Sequence, residues 1–166
     1  TAIEIGDALS NQYGHKVLNL MPTNLYGPFD NFSENDSHVI PGLIAKMHKA
    51  KEKKAKEFKI WGTGKPLREF LYVDDLSRAI EYLIFNKPEE SLLNIGSGIE
   101  ITIYDLAKKI KEVVEFEGQL DFDSAKPDGN PRKLLDSSTI NKLGWSPEVN
   151  LDNGLRLTYK WYLNNL

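Results

Sequence analysis

The 166-residue sequence has no cysteine. That excludes disulfides, a thiolate nucleophile and a zinc site built on cysteine. No apolar run approaches the ~20 residues that a membrane-crossing helix needs. The opening Thr-Ala-Ile-Glu-Ile lacks the basic and apolar regions of a signal peptide. Positive charge is not in excess: the formal net charge is −3, which argues against a nucleic-acid-binding surface. There is no P-loop, and no strand–turn–helix carries G-x-G-x-x-G. No internal repeat or clear linker appears. These absences leave a soluble cytoplasmic protein, without metal, membrane or nucleic acid, as the expectation. The rest is ordinary for a globular domain, with 40% hydrophobic and 27% charged residues.

What is present is an alternation of helices and strands. Residues 2 to 12 have helical periodicity, with Thr1 as the available cap and Gly14 suited to a left-handed end. Lys16 to Met21 reads as a short buried strand, followed by a long polar loop from Pro22 to Ser37. Ile40, Leu43, Ile44 and Met47 mark an amphipathic helix that Pro41 can open. Strands are expected at Phe58 to Trp61, Glu69 to Val73, Leu92 to Ile95 and Leu120 to Phe122. Asp74 is positioned to cap a helix reaching about Phe85, and Thr102 to cap another. A polar loop fills 124 to 135, a short helix is expected around Ser138 to Leu143, and a last helix from about Asp152 to Leu163. This is the grammar of an α/β layered domain.

Several segments could carry chemistry. Thr23 and Asn24 directly follow a strand, where open α/β sheets bind ligands, although both could simply bond their own turn. His38 ends the polar loop and could act as an acid near neutral pH, or be structural. His15 and His48 read as surface residues. The lysines from 49 to 59 read as a solvated face. Trp61 could stack on a ring or pack in the core. Arg68 could bind a diphosphate in bidentate fashion, or pair with Asp74 or Asp75. Asp74 and Asp75 read as cap and structural partner, not a catalytic pair. Lys126 to Lys133 sets three cations around Asp128, as either a phosphate site or a charged surface loop. Gly62-Thr-Gly64 and Gly96-Ser-Gly98 lack the third glycine of a phosphate cradle.

Taken together, Asn24-Leu-Tyr-Gly-Pro-Phe-Asp-Asn-Phe, Ser37-His-Val-Ile-Pro, Trp61-Gly-Thr-Gly-Lys-Pro-Leu-Arg-Glu-Phe-Leu-Tyr-Val-Asp-Asp, Asn94-Ile-Gly-Ser-Gly, Lys126-Pro-Asp-Gly-Asn-Pro-Arg-Lys-Leu-Leu-Asp and Leu143-Gly-Trp resemble the GDP-L-fucose synthases. These are a branch of the extended short-chain dehydrogenases. The resemblance implies the carboxy-terminal part of a Rossmann-like fold with a small substrate-binding α/β lobe. Residues 1–37 would be the remainder of the dinucleotide-binding fold. Residues 38–166 would be mainly the substrate lobe, with elements returning to the Rossmann sheet. It implies NADPH-dependent 3,5-epimerisation and 4-reduction of GDP-4-keto-6-deoxy-D-mannose by a homodimer. Pro22, Thr23, Asn24, Leu25 and His38 would line the nicotinamide end of the NADP(H) site, with His38 the catalytic acid. Lys46, Trp61, Arg68 and Asp128 would contact the GDP-sugar. Lys46 stands where arginine is frequent in the family, which replaces a fork with a point charge.

The resemblance also implies parts that this sequence does not match: the glycine-rich turn, a catalytic serine, a cysteine base, and a Tyr-x-x-x-Lys pair expected upstream of Thr1. The expectation is therefore a piece of a longer enzyme that is inactive alone. Two alternatives stay open, another nucleotide-sugar epimerase or dehydratase and a non-catalytic sugar-nucleotide-binding domain.

Overall fold

The computed structural model describes residues 2–166, so the expected cap at Thr1 lies outside the described residues. Helix α1 spans Ala2–Tyr13, followed by Gly14 in the left-handed region. Strands β1 (Asn19–Pro22) and β2 (Asn24–Tyr26) precede helix α2 (Val39–Glu52). Then come β3 (Glu57–Trp61), β4 (Leu67–Tyr72), α3 (Val73–Asn86), β5 (Leu92–Ile95) and β6 (Glu100–Thr102). Helix α4 (Ile103–Val114), β7 (Gln119–Asp123), β8 (Arg132–Lys133), α5 (Ser138–Lys142) and α6 (Leu151–Asn164) complete the chain.

Three small sheets form among the described residues. β1 pairs in parallel with β5, and β3 in parallel with β7. β4 is the hub of the third, with β2 and β8 parallel to it and β6 antiparallel. The larger core gathers Ile40, Ile44 and Met47 of α2, Leu106, Ile110 and Val114 of α4, and Leu155 of α6, all buried. The α4 stripe follows the helical repeat expected of it, and Thr102 caps that helix by accepting from the Asp105 N–H at 3.0 Å. The smaller core packs Ala79 and Leu83 of α3 against Leu93 and Ile95 of β5, with Ile140 and Trp145.

Several sequence expectations need correction. The polar loop after β1 contains β2, whose three residues pair with Phe70 to Tyr72. So short a strand carries too little periodicity to stand out. β6 and β8 were missed for the same reason. β1 is only half-buried, with Met21 exposed, because it pairs with β5 alone among the described residues. The cap of α3 is Tyr72, not Asp74, and no side chain bonds there. His48 is no surface residue. It is 9% exposed, and its Nδ1 lies 2.9 Å from the Tyr159 hydroxyl.

Candidate active-site cleft

Two adjoining clefts open beside β4. The smaller, of about 380 Å³, is lined by His38, Gly42 and Lys46 along one face of α2, by Trp61, and by Arg68. Pro127, Asp128 and Gly129 close its outer side. The larger, of about 800 Å³, is lined by Thr23 to Asp30, with His38, Arg68, Phe70 and Val73. His38 and Arg68 therefore face both. The spacing of His38, Gly42 and Lys46 by four puts them on one helical stripe, while Ile40, Ile44 and Met47 turn to the core.

The cation set is selective. Arg68 and Lys46 form no salt bridge within 4 Å among the described residues, although the Lys46 charge reaches Glu34, and the expected pairing of Arg68 with Asp74 or Asp75 does not form. Arg68 bonds instead through one guanidinium nitrogen to the Leu67 carbonyl at 2.7 Å. Arg132 is committed elsewhere: its fork binds the two Glu100 oxygens at 2.8 and 2.7 Å. Lys133 sits on β8 and does not line the cleft. Lys126 holds its ammonium 5.6 Å from the Trp61 ring centre. Trp61 is 76% exposed, which settles against core packing.

Both Gly-x-Gly turns hold anions, but the anions are the chain's own. The Thr63 N–H and hydroxyl donate to the two Asp128 oxygens at 2.8 and 2.7 Å. Those two bonds, with a smaller push from Lys65, hold the Asp128 carboxyl below its ordinary pKa. The Gly98 N–H donates to Glu69 Oε1 at 2.7 Å, and the Leu135 N–H to Oε2 at 3.1 Å. Glu69 is fully buried. Sequence reasoning passed over this anchor; its signal was a carboxylate set inside an apolar strand.

Thr23 and Asn24 do not bond their own turn. Both side chains donate to the Glu69 carbonyl, at 3.3 and 2.7 Å, which ties them to β4. Leu25 lines the larger cleft with them, whereas Pro22 ends β1 opposite Ile95 and lies outside that lining. His38 caps α2 through its backbone, with its side chain 85% exposed and Nδ1 3.7 Å from Asp30. Tyr26, next along β2, is buried against Phe70 and Tyr72, and burial pushes its hydroxyl well above the usual pKa.

One Tyr-x-x-x-Lys spacing does occur, from Tyr104 to Lys108 at the start of α4. The Lys108 ammonium lies over the Tyr104 ring, 4.3 Å from its centre, and neither residue lines either cleft. This pair does not polarise a ligand there. Among the described residues no cluster of metal-ligating side chains forms, and no helix is long and apolar enough to cross a membrane.

Parallel strands joined through helices, with paired clefts at the ends of β2 and β4, define an α/β fold of the Rossmann-like kind. The chain belongs to the NAD dependent epimerase/dehydratase family, whose model matches residues 1–96. It is 52% identical over 164 residues to a probable GDP-L-fucose synthase 1 of Oryza sativa subsp. japonica, covering 99% of this chain and 50% of that one. It is 42% identical to the GDP-L-fucose synthase of Escherichia coli strain K12, covering 98% of this chain and 54% of the other. A crystal structure of an NADP-bound GDP-L-fucose synthetase from Naegleria fowleri superposes with a TM-score of 0.90 at 30% identity, covering 98% of this chain and 53% of that one. The chain thus spans about half the length of the curated relatives it matches.

Proposed function

We propose that this chain supplies the sugar-nucleotide side of GDP-L-fucose synthesis. The observation that carries the reading is convergence: two cations outside any close salt bridge among the described residues, Lys46 and Arg68, share one cleft with an exposed Trp61 and with His38. The Arg68 fork suits a diphosphate in bidentate fashion, and Lys46 adds a point charge. The exposed Trp61 ring, with the Lys126 ammonium over one face, offers a surface on which a planar base can stack. The sugar then extends toward His38, at the junction with the larger cleft.

That larger cleft fits the nicotinamide end of NADP(H). Its lining is largely apolar, with Leu25, Phe70 and Val73 beside Thr23 and Asn24, and its two charged members, Asp30 and Arg68, are of opposite sign. The two Gly-x-Gly turns do not fit the cofactor's diphosphate, since each already holds a carboxylate of this chain. When bound, the cofactor supplies hydride for the C4 ketone. His38 contributes by returning a proton to carbon during epimerisation beside that ketone, an acid role suited to an imidazole open to solvent. Thr23 and Asn24 hold the wall rigid through Glu69.

In this reading residues 1–37 are the remainder of the dinucleotide-binding fold, and residues 38–166 are mainly the substrate lobe. The return of β5 to pair with β1 supports that division. The homodimeric state of the complete enzyme rests on the family resemblance, and its cytoplasmic location on the sequence expectation. The expectation that the chain turns over no keto-sugar by itself rests on that resemblance too.

Calorimetric titration with GDP and with UDP tests the nucleotide assignment, on material whose circular dichroism shows the expected α/β signature. GDP binding at least tenfold tighter than UDP supports it. Equal affinity points to another nucleotide-sugar enzyme, and folded protein that binds neither refutes the assignment.

A further inference from the structure

We propose that Asp128 is a positioning residue: its contact with Thr63 latches the 124–131 loop as the outer wall of the nucleotide cleft. Opening of that latch then sets how fast a nucleoside diphosphate enters and leaves. The proposal rests on the GDP reading of the cleft for the identity of the ligand, but not for the latch itself.

Apart from the Lys126 ammonium over the Trp61 ring, the Asp128–Thr63 contact is what holds the middle of the loop among the described residues. None of residues 124 to 131 is buried, so no apolar side chain pins it to the core. Its ends are tied by backbone bonds, from the Lys126 N–H to the Asp123 carbonyl at 3.1 Å and from the Leu67 N–H to the Pro131 carbonyl at 2.9 Å. Between them, Asp128 makes the cross-link to the Gly62–Gly64 turn. Both of its oxygens are used, on the Thr63 N–H and hydroxyl. The hydroxyl is itself oriented, because it accepts from the Lys65 N–H at 3.2 Å and so donates toward Asp128.

The surrounding backbone is shaped to the contact. Gly62 has φ +86, and a Cβ there would stand 2.3 Å from Asp128 Oδ1. A side chain at 62 would both strain the turn and push the carboxylate out. On the inner side, a Cβ at Gly129 would lie 3.1 Å from an Arg68 guanidinium nitrogen, so the loop backbone runs close over that group. Lys126 lies over Trp61. Lifting the loop uncovers the stacking face and the diphosphate cation together. Asp128 thus acts on the ligand through Thr63 and the loop, with its own oxygens already engaged.

The test uses the chain and three variants, Thr63→Val, Thr63→Ser and Asp128→Asn. Two quantities are read: hydrogen exchange of the 126–130 amides without ligand, and release of a fluorescent N-methylanthraniloyl-GDP probe by stopped flow. Thr63→Val and Asp128→Asn should speed both by roughly three- to tenfold, the range expected for losing one hydrogen bond of ordinary net strength at a solvent-screened surface site. Thr63→Ser keeps the hydroxyl and should restore both rates, a rescue that a packing role for the threonine methyl would not give. Wild-type exchange rates in Thr63→Val, or no rescue in Thr63→Ser, overturn the latch. Unchanged probe release alongside faster loop exchange overturns the gating role. A wild-type chain that binds no probe overturns the nucleotide assignment and the gating role with it, and loop exchange then decides the latch alone.

Discussion

Asp74 and Asp75 are neighbours with opposite surroundings, and replacing each by alanine isolates what a buried carboxylate does here. Asp75 is fully buried. It accepts from the Glu148 N–H at 2.8 Å and the Val149 N–H at 3.1 Å, and it pairs with Arg78. It therefore ties the start of α3 to the segment that delivers α6. Asp75→Ala orphans both amides and leaves the half-buried Arg78 guanidinium without its inner partner. Hydrogen bonds to a charged group contribute about 1.5–3 kcal/mol each. Relief from burying the carboxylate offsets part of that, and removing one member of a buried pair typically costs about 3–5 kcal/mol net. At this chain length each kcal/mol moves the melting temperature by about 2–4 °C, so the midpoint should fall by roughly 6–20 °C. Asp74 is exposed and caps nothing, so Asp74→Ala should stay within about 0.5 kcal/mol of the parent. Thermal denaturation followed by circular dichroism reads both. Equal midpoints for the two variants would refute the reasoning.

Three further outcomes follow from the geometry. Gly154→Ala would set a methyl carbon 2.1 Å from the Tyr26 hydroxyl, and overpacking of this kind should lower stability by about 1–3 kcal/mol in a urea titration. The carboxyl of Asp128 has its pKa lowered by Thr63; a lowered folded-state value means that the contact is intact above the ordinary carboxylate range and is lost only as pH falls through the lowered value. The Thr63 amide resonance should therefore titrate at lower pH than exposed aspartates do, and a midpoint at or above theirs would contradict the contact. Arg68→Lys keeps the charge but loses the fork, so GDP affinity measured by calorimetry should weaken roughly tenfold, against little change if Arg68 served only to fill space.

The parts of this fold that were legible in the sequence are those whose signal is local and repeated. The α4 stripe from Ile103 to Val114, the Thr102 cap and the β5 run at Leu92 to Ile95 all stand as read. What escaped depends on partners far away in the chain. β2 and β6 are three residues each, and only their pairing with β4 makes them strands. His48 looked like one more polar residue among lysines, yet its helical position turns it inward toward Tyr159, which is 111 residues away. The candidate site was legible only as residue types: Lys46, Trp61, Arg68 and Asp128, singled out in the sequence, line one cleft. Their division of labour was not. That Arg132 is taken by Glu100, or Asp128 by Thr63, is a matter of side-chain neighbours that no spacing in the sequence records.

β4 shows how a single strand can serve the site and the core at once. Side chains alternate across a strand. Arg68 and Phe70 both face the larger cleft, and Phe70 and Tyr72 pack toward the larger core. The residues between them turn the other way: Glu69 is buried on the Gly98 and Leu135 amides, and Leu71 enters the smaller core. The order Arg-Glu-Phe-Leu-Tyr is thus two interleaved messages read from opposite faces. A one-residue slip of register would exchange them. It would place the Glu69 carboxylate in a cleft whose cations suit an anion, and bury the Arg68 guanidinium against two N–H donors. Either consequence alone is costly, so the pairing of β4 with β2, β6 and β8 fixes the charge of the cleft as firmly as it fixes the sheet.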